Sequence, residues 1–384
     1  MQPSGPLDSS RLCSSLLPHF SVILDPRIER TRDHRLLDLL VISVLAMLCG
    51  ADHFTEFEAF GQARLPWLRT FLALPHGIPS HDTFGRVFAM LDPAQFAECF
   101  RNWTQGLRES VRQEIVAIDG KTARRSHARA RGKKAIHVVS AWARENGLVL
   151  GQFKVDEKSN EITAIPELLR VLELAGCIVT IDAMGTQKAI ATEIRNADAD
   201  YVLALKGNHE SVHREVADFF LDARARNFQG VEHSFLETVE KDHGRIETRR
   251  YWIVGEIDWF ADKSLWEGLR SFGMVERIRD IEGVVTTEVA FHLCSIAAQA
   301  ALYERAARGH WSVENQLHWI LDVSFGEDQS RVRTGYASQN LNLLRHMSLN
   351  LLKTDQSKKC GLKTKRKIAA WDPAYLLSLL GLDI

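Results

Sequence analysis

Apolar residues recur at helical spacing over residues 36–49, 54–62 and 65–73, with Gly50 and the turn "PHGIPS" at 75–80 as breaks. Ser80 stands as an N-cap for "HDTFGRVFAMLD". Residues 1–110 therefore predict a helical domain. Beyond Val111 the period changes. "EIVAIDG" (114–120) predicts a short buried strand, and "AIHVVSAWA" (135–143) with "GLVLGQFKV" (147–155) a hairpin across "RENG". "PELLRVLELAG" (166–176) predicts an amphipathic helix, with Pro166 in its first turn and Gly176 as its stop. "CIVTIDAMGT" (177–186) and "DYVLALKGN" (200–208) predict two further buried strands on either side of a helix over "AIATEIRNA". The order β-β-β-α-β-α-β implies an α/β layer with mixed strand pairing.

Residues from about 209 to 300 alternate more loosely. They predict a β-rich insertion with hairpin turns at Asp242–Gly244 and at "IEGV". Helical spacing returns over 301–322 and 337–352, and no repeat of fixed period is present. Residues 353–384 read as a basic C-terminal tail, so the chain divides into 1–110, 111–352 and 353–384.

Composition narrows the function classes. The chain has 384 residues and a formal net charge of −1, so global charge gives no nucleic-acid signal and any such signal must be local. Its six cysteines, Cys13, Cys49, Cys99, Cys177, Cys294 and Cys360, are scattered without a CxxC pair, against a disulfide framework or a cysteine zinc site. The most apolar run, 36–50, is short for a membrane span and contains Asp38, so it predicts a buried helix. The N-terminus has no signal-peptide pattern.

Asp119 and Asp182 each end an apolar strand and are followed closely by glycine. A carboxylate there is costly unless it is paired, hydrogen-bonded or metal-bound. Open α/β sheets bind ligands beyond the carboxyl ends of their strands. On neighbouring strands, about 4.8 Å apart, the two acids could share a metal ion. Oxygen-only ligands favour Mg²⁺ or Mn²⁺. The competing reading is that each aspartate only bonds the amides of its own turn.

"DGKTARRSHARARGKK" (119–134) concentrates Lys121, Arg124, Arg125, Arg129, Arg131, Lys133 and Lys134, as a phosphate-contacting loop or a solvated one. The tail adds Lys353, Lys358, Lys359, Lys363, Lys365, Arg366 and Lys367. In "RGHWSVENQLHWILD" (308–322), His310, Glu314 and His318 fall four apart and share one side of a regular helix. The array is not the H-E-x-x-H zinc motif. It reads as a buried polar seam, a zinc pair of His310 and His318, or one corner of a larger site.

"VAIDGKTARRS", "KSNEITAIPELL", "VTIDAMGTQ", "YVLALKGNH" and "HWSVENQLHWILDVSFGEDQSRVR", in this order, resemble the DDE transposases of bacterial insertion sequences, and within them the H-repeat-associated group. "LDPRIERTRDHRLLDLL" with "GIPSHDTFGRVF" is similar to the helical domain that precedes the catalytic domain in that group. The resemblance implies an RNase H-like catalytic domain with a mixed sheet flanked by helices and a β-rich insertion. It also implies Asp119, Asp182 and Glu314 as catalytic acids that hold two Mg²⁺ or Mn²⁺ ions. In related transposases the glutamate belongs to a Tyr-x2-Arg-x3-Glu-x6-Lys signature. Here Ala307, His310 and Leu321 stand at its other positions, so Arg308, His310 and His318 are expected as substitutes on DNA.

Lys121 and Lys206 follow strand ends and are expected near the scissile phosphate, with Arg124, Arg125, Lys365 and Arg366 on flanking DNA. Glu161 is a candidate additional metal ligand, with an exposed loop acid as the competing reading. Glu327 and Asp328 compete with Glu314 for the third-acid role. The implied partners are transposon-end inverted repeats, target DNA and a second copy of the chain, with no membrane, in the bacterial cytoplasm at the nucleoid. The alternatives are an RNase H-like nuclease without strand transfer and a catalytically silent DNA-binding descendant.

Overall fold

The N-terminal apolar run becomes the helix around which its neighbours assemble. In the computed structural model, which describes residues 16–127, 135–155, 160–242 and 245–382, α1 (Leu17–Phe20), α2 (Leu36–Leu48), α3 (Phe54–Leu68), α4 (His81–Met90) and α5 (Pro93–Leu107) precede the first strand. Nearly all of α2 is buried, as its continuous apolarity requires. Asp38 on this helix accepts a hydrogen bond from the Leu74 amide at 3.1 Å, which compensates its burial. Ser80 caps α4 by accepting from the Thr83 amide at 3.3 Å. The two helices expected over 54–62 and 65–73 are one, α3, which carries Pro66 near its end.

The expected β-β-β-α-β-α-β order is observed as β1 (Ile115–Thr122), β2 (His137–Ala143), β3 (Leu148–Lys154), α6 (Glu161–Arg170), β4 (Ile178–Ile181), α7 (Lys188–Asn196) and β5 (Asp200–Leu205). Helix α6 starts at Glu161, a turn and more before the expected Pro166. β1, β2 and β3 pair antiparallel, whereas β4 lies parallel to β1 and β5 parallel to β4. This is the RNase H-like arrangement.

α8 (Glu210–Ala225) then leads into β6 (His233–Asp242), β7 (Arg245–Val254), β8 (Ser271–Ile281) and β9 (Val284–Cys294). β9 pairs antiparallel with β5, Val202 opposite Cys294 and Leu205 opposite Phe291. The β-rich insertion is therefore not a separate layer. It extends one sheet in the order β3-β2-β1-β4-β5-β9-β8-β7-β6.

The chain closes with α9 (Ala300–His310), a π-helical turn (Glu314–His318), α10 (Trp319–Phe325), α11 (Ala337–Thr354), α12 (Leu362–Trp371) and α13 (Pro373–Leu379). Strand alternation sorts the cores. Val116 and Ile118 of β1 pack with α6, α7 and α8, whereas Ala117 joins α2, α4, α5, α10 and α11 on the other face. The N-terminal helices thus share a core with the C-terminal ones. No helix among the described residues is long and apolar enough to cross a membrane.

Residues 353–384 differ from the expected basic tail, because α12 and α13 are packed helices. Lys365 and Arg366 are buried. Lys365 Nζ donates to the Leu352 carbonyl at 2.9 Å and pairs with Asp355 at 3.1 Å. Arg366 donates to the Met47 carbonyl at 2.7 Å, pairs with Asp52 at 3.0 Å and lies over the Phe325 ring. Both heads are spent on internal partners, which corrects their expected role on DNA.

One side chain of α11 replaces a missing strand at the sheet edge. Asn350 accepts from the Val149 amide and donates to the Val149 carbonyl, both at 2.9 Å. Asn350→Ala should lower the stability to urea by about 2–3 kcal/mol, because two buried backbone groups of β3 lose their partner. An unchanged unfolding midpoint would contradict this role.

Candidate active site

Parallel pairing of β1 with β4 sets Ile118 opposite Ile181. Asp119 follows where β1 leaves its parallel partner and runs on beside β2 to Thr122, three residues beyond the expected strand end at the aspartate, and Asp182 follows the last residue of β4. Asp182 Oδ1 accepts from the amides of Met184 at 3.0 Å and Gly185 at 3.1 Å, so its turn fixes the carboxylate. Asp119 is mostly buried, with 15% of its side chain exposed.

A third acid arrives at the start of α6. Glu161 Oε1 lies 2.6 Å from His137 Nε2, and His137 Nδ1 lies 2.7 Å from Thr122 Oγ1. The antiparallel register that sets Thr122 opposite His137 builds this chain. It also explains the glycine after Asp119. A Cβ at position 120 would fall 2.5 Å from the Glu161 carboxyl carbon and 2.7 Å from His137 Nε2.

The fourth acid comes from the late helical segment, which is not the regular helix expected. α9 ends at His310, and Glu314–His318 forms a π turn in which the Trp319 amide bonds the Glu314 carbonyl. Such wide turns are frequent at functional sites. His310 is separated from the other two members of the array. It is half-buried, with Nδ1 3.2 Å from Thr180 Oγ1, so its ring faces β4. His318 Nδ1 lies 3.5 Å from Asp119 Oδ2 and 3.6 Å from Glu314 Oε2. Asp119, Glu314 and His318 each offer a ligand atom within 4.8 Å of the other two. His318 is thus enclosed beside the acids instead of reaching for DNA, and the expected His310–His318 zinc pair is not assembled.

The electrostatics follow from this crowding. Burial pushes the Asp119 carboxyl up to about 7, and the charges of Glu314, Glu161 and Asp182 push the same way against the Gly120 amide. Burial drives His318 down to about 4, helped by Lys121, His310 and His137, so its ring is neutral near pH 7. A carboxyl whose charge is disfavoured by burial and by its acidic neighbours, beside a neutral imidazole, suits a divalent cation.

Lys121 does not meet the expectation of a free phosphate contact. Its ammonium is 12% exposed and lies 2.7 Å from Asp322, 2.9 Å from Glu327 and 3.6 Å from Asp328. Glu327 and Asp328 are thereby turned onto Lys121, away from Glu314. Arg124 donates its amide to Asp328 at 3.1 Å, and its side chain is exposed. Arg125 is exposed, as is Lys206 beyond β5. Arg308 pairs with Glu240 and Glu304 on the inserted strands and its own helix. Arg129, Arg131, Lys133 and Lys134 lie outside the described residues.

The sequence reading missed His137, Thr122, Asp322 and the inward turn of His318. Strand register was the available signal for the first two, since a hairpin pairs His137 with the end of β1. The π turn leaves no mark in periodicity. The Lys121 cluster carries a stability test. Lys121→Met should destabilise the protein by about 3–5 kcal/mol in urea titration, because Asp322 and Glu327 lose the ammonium they face and Asp328 keeps only Arg124. A variant as stable as the wild type would contradict the clamp.

The family model described as "Transposase DDE domain" matches residues 111–351, and the one described as "DDE_Tnp_1-associated" matches residues 17–104. The chain is 41% identical to "Putative transposase YncI" of Escherichia coli O157:H7, over 95% of this chain and 94% of that protein. It is 38% identical to "H repeat-associated putative transposase YhhI" of Escherichia coli (strain K12), over 95% of this chain and 97% of that protein. The piggyBac transposase synaptic complex with hairpin DNA aligns over 97% of this chain and 80% of that one, with a TM-score of 0.47 and 10% identity. The matches to the DDE domain over most of the chain, and to H repeat-associated relatives over nearly all of it, make this chain a member of the DDE transposase family.

Proposed function

We propose that this transposase cuts DNA at the inverted-repeat ends of its insertion sequence and joins the freed 3′-hydroxyls to target DNA, acting as a dimer that pairs two ends at the nucleoid. The observation that carries the proposal is the meeting of Asp119 with Glu314 across more than 190 residues of chain, with Asp182 on the neighbouring strand. Asp119, Asp182 and Glu314 would hold two Mg²⁺ or Mn²⁺ ions, with Glu161 as an additional ligand. Those ions would supply Lewis-acid stabilisation to the attacking and leaving oxygens of a phosphodiester.

The protein's own groups prepare the site. The Met184 and Gly185 amides fix Asp182, His137 fixes Glu161, and Lys121 ties the end of β1 to Asp322 on α10, the helix that follows Glu314. Preorganised groups of this kind spare the reaction the cost of ordering them during catalysis. Arg124 and Arg125 just beyond β1, and Lys206 beyond β5, are exposed cations at the same end of the sheet and suit contact with the DNA backbone.

The test uses duplexes that carry the inverted repeats flanking the coding region. Wild-type protein with Mg²⁺ or Mn²⁺ should release 3′-hydroxyl ends and join them to a target plasmid. Asp119→Asn, Asp182→Asn and Glu314→Gln should each lower cleavage by about 10²-fold or more, with binding retained. Nicks without joined products would indicate a nuclease, and binding without cleavage a silent descendant. Glu327→Gln losing as much cleavage as Glu314→Gln, with unchanged stability, would overturn the assignment of the third acid.

A further inference from the structure

We infer that His318 is itself a metal ligand, so that Asp119, Glu314 and His318 form a mixed oxygen–nitrogen set that takes Mn²⁺, or another first-row cation that accepts nitrogen, in preference to Mg²⁺. The inference rests on the proposed metal-dependent reaction and specifies the ion at that site.

The ring is placed for ligation and little else. It is 7% exposed, and its Nδ1 faces the two carboxylates at 3.5 and 3.6 Å. Those separations are too long for ordinary N–H···O hydrogen bonds. They suit donors gathered around one ion, since bonds of about 2.0–2.2 Å from a centre to nitrogen and oxygen hold neighbouring donors about 3–4 Å apart. The other nitrogen, Nε2, is buried and has no hydrogen-bond partner among the described residues. Two other histidines around the site are accommodated differently: His137 bonds Glu161 and Thr122, and His310 bonds Thr180. With the proton on Nε2, Nδ1 is left as a lone-pair donor aimed at the two carboxylates, which is the form of the ring that binds a metal.

The π turn is the local device that makes this arrangement. It brings Glu314 and His318 to the same carboxylate of Asp119 while His310, one turn earlier, is left facing β4. Asp182 and Glu161 lie outside the three-residue group and offer oxygen only. Imidazole favours first-row transition ions, whereas all-carboxylate sets suit Mg²⁺. A cation held by Asp119, Glu314 and His318 would therefore have a nitrogen donor, which a purely carboxylate set would lack.

Pulsed electron paramagnetic resonance of the full chain loaded with Mn²⁺ tests this without reference to activity. The wild type should show ¹⁴N modulation from a directly bound imidazole, and labelling with ¹⁵N-histidine should move its frequency. His318→Gln should lose the modulation and lower the Mn²⁺-over-Mg²⁺ binding ratio at least about tenfold. His137→Gln and His310→Asn should keep the modulation. If His318→Gln does not fold, the labelled wild type and these two variants still decide the matter. Bound Mn²⁺ without nitrogen modulation, or modulation that persists in His318→Gln, would overturn the inference and leave the catalytic reading standing. A wild type that binds no Mn²⁺ at all would overturn both.

Discussion

The burial of Asp119 among other acids is the constraint around which the structure is arranged. Asp119 is largely buried, and Glu314, Glu161 and Asp182 all raise the cost of its charge. Water does not screen such a group well, and among the described residues no lysine or arginine pairs with it. Lys121, two residues away, is instead enclosed by Asp322, Glu327 and Asp328. The chain thus separates two negative clusters. One closes around Lys121 and serves as a joint, whereas the other has no lysine or arginine partner among the described residues.

The remaining architecture holds that second cluster in place. Parallel β1 and β4 bring Asp119 beside Asp182, and the missing side chain of Gly120 lets Glu161 and His137 close over the strand. Helix α11 crosses the rear face and pins the β3 edge through Asn350. The Lys121 joint fixes α10, and with it the π turn that presents Glu314 and His318. Strain and repulsion at functional sites are commonly tolerated because the surrounding fold over-determines them. Here the long sheet and a core shared by the two ends of the chain provide that support.

Much of this was legible in the sequence, and the remainder was hidden for physical reasons. Alternation and breaker residues located the strands that carry Asp119 and lead into Asp182, because buried strands need continuous apolar runs, although β1 runs on to Thr122. Family resemblance singled out Glu314, and the structure brings its carboxylate to Asp119. Periodicity could not reveal the π turn, since a single widened turn leaves the apolar spacing on either side almost intact. Charge counts misread Lys121, Lys365 and Arg366 as free cations, because composition does not show which acids fold against them. The inserted strands were recognised as β-rich, but not as a continuation of the main sheet, since pairing with β5 is a long-range choice.

The central claim is that the acid cluster is destabilising until a divalent cation joins it. Thermal unfolding of wild type and Asp119→Asn, each with and without Mn²⁺, measures it directly. The cation-free variant should melt at or above the temperature of the cation-free wild type, because a buried carboxyl among acids is gone. Mn²⁺ should raise the melting temperature of the wild type clearly more than that of the variant. A variant less stable than the wild type without the cation, together with equal responses to Mn²⁺, would contradict it.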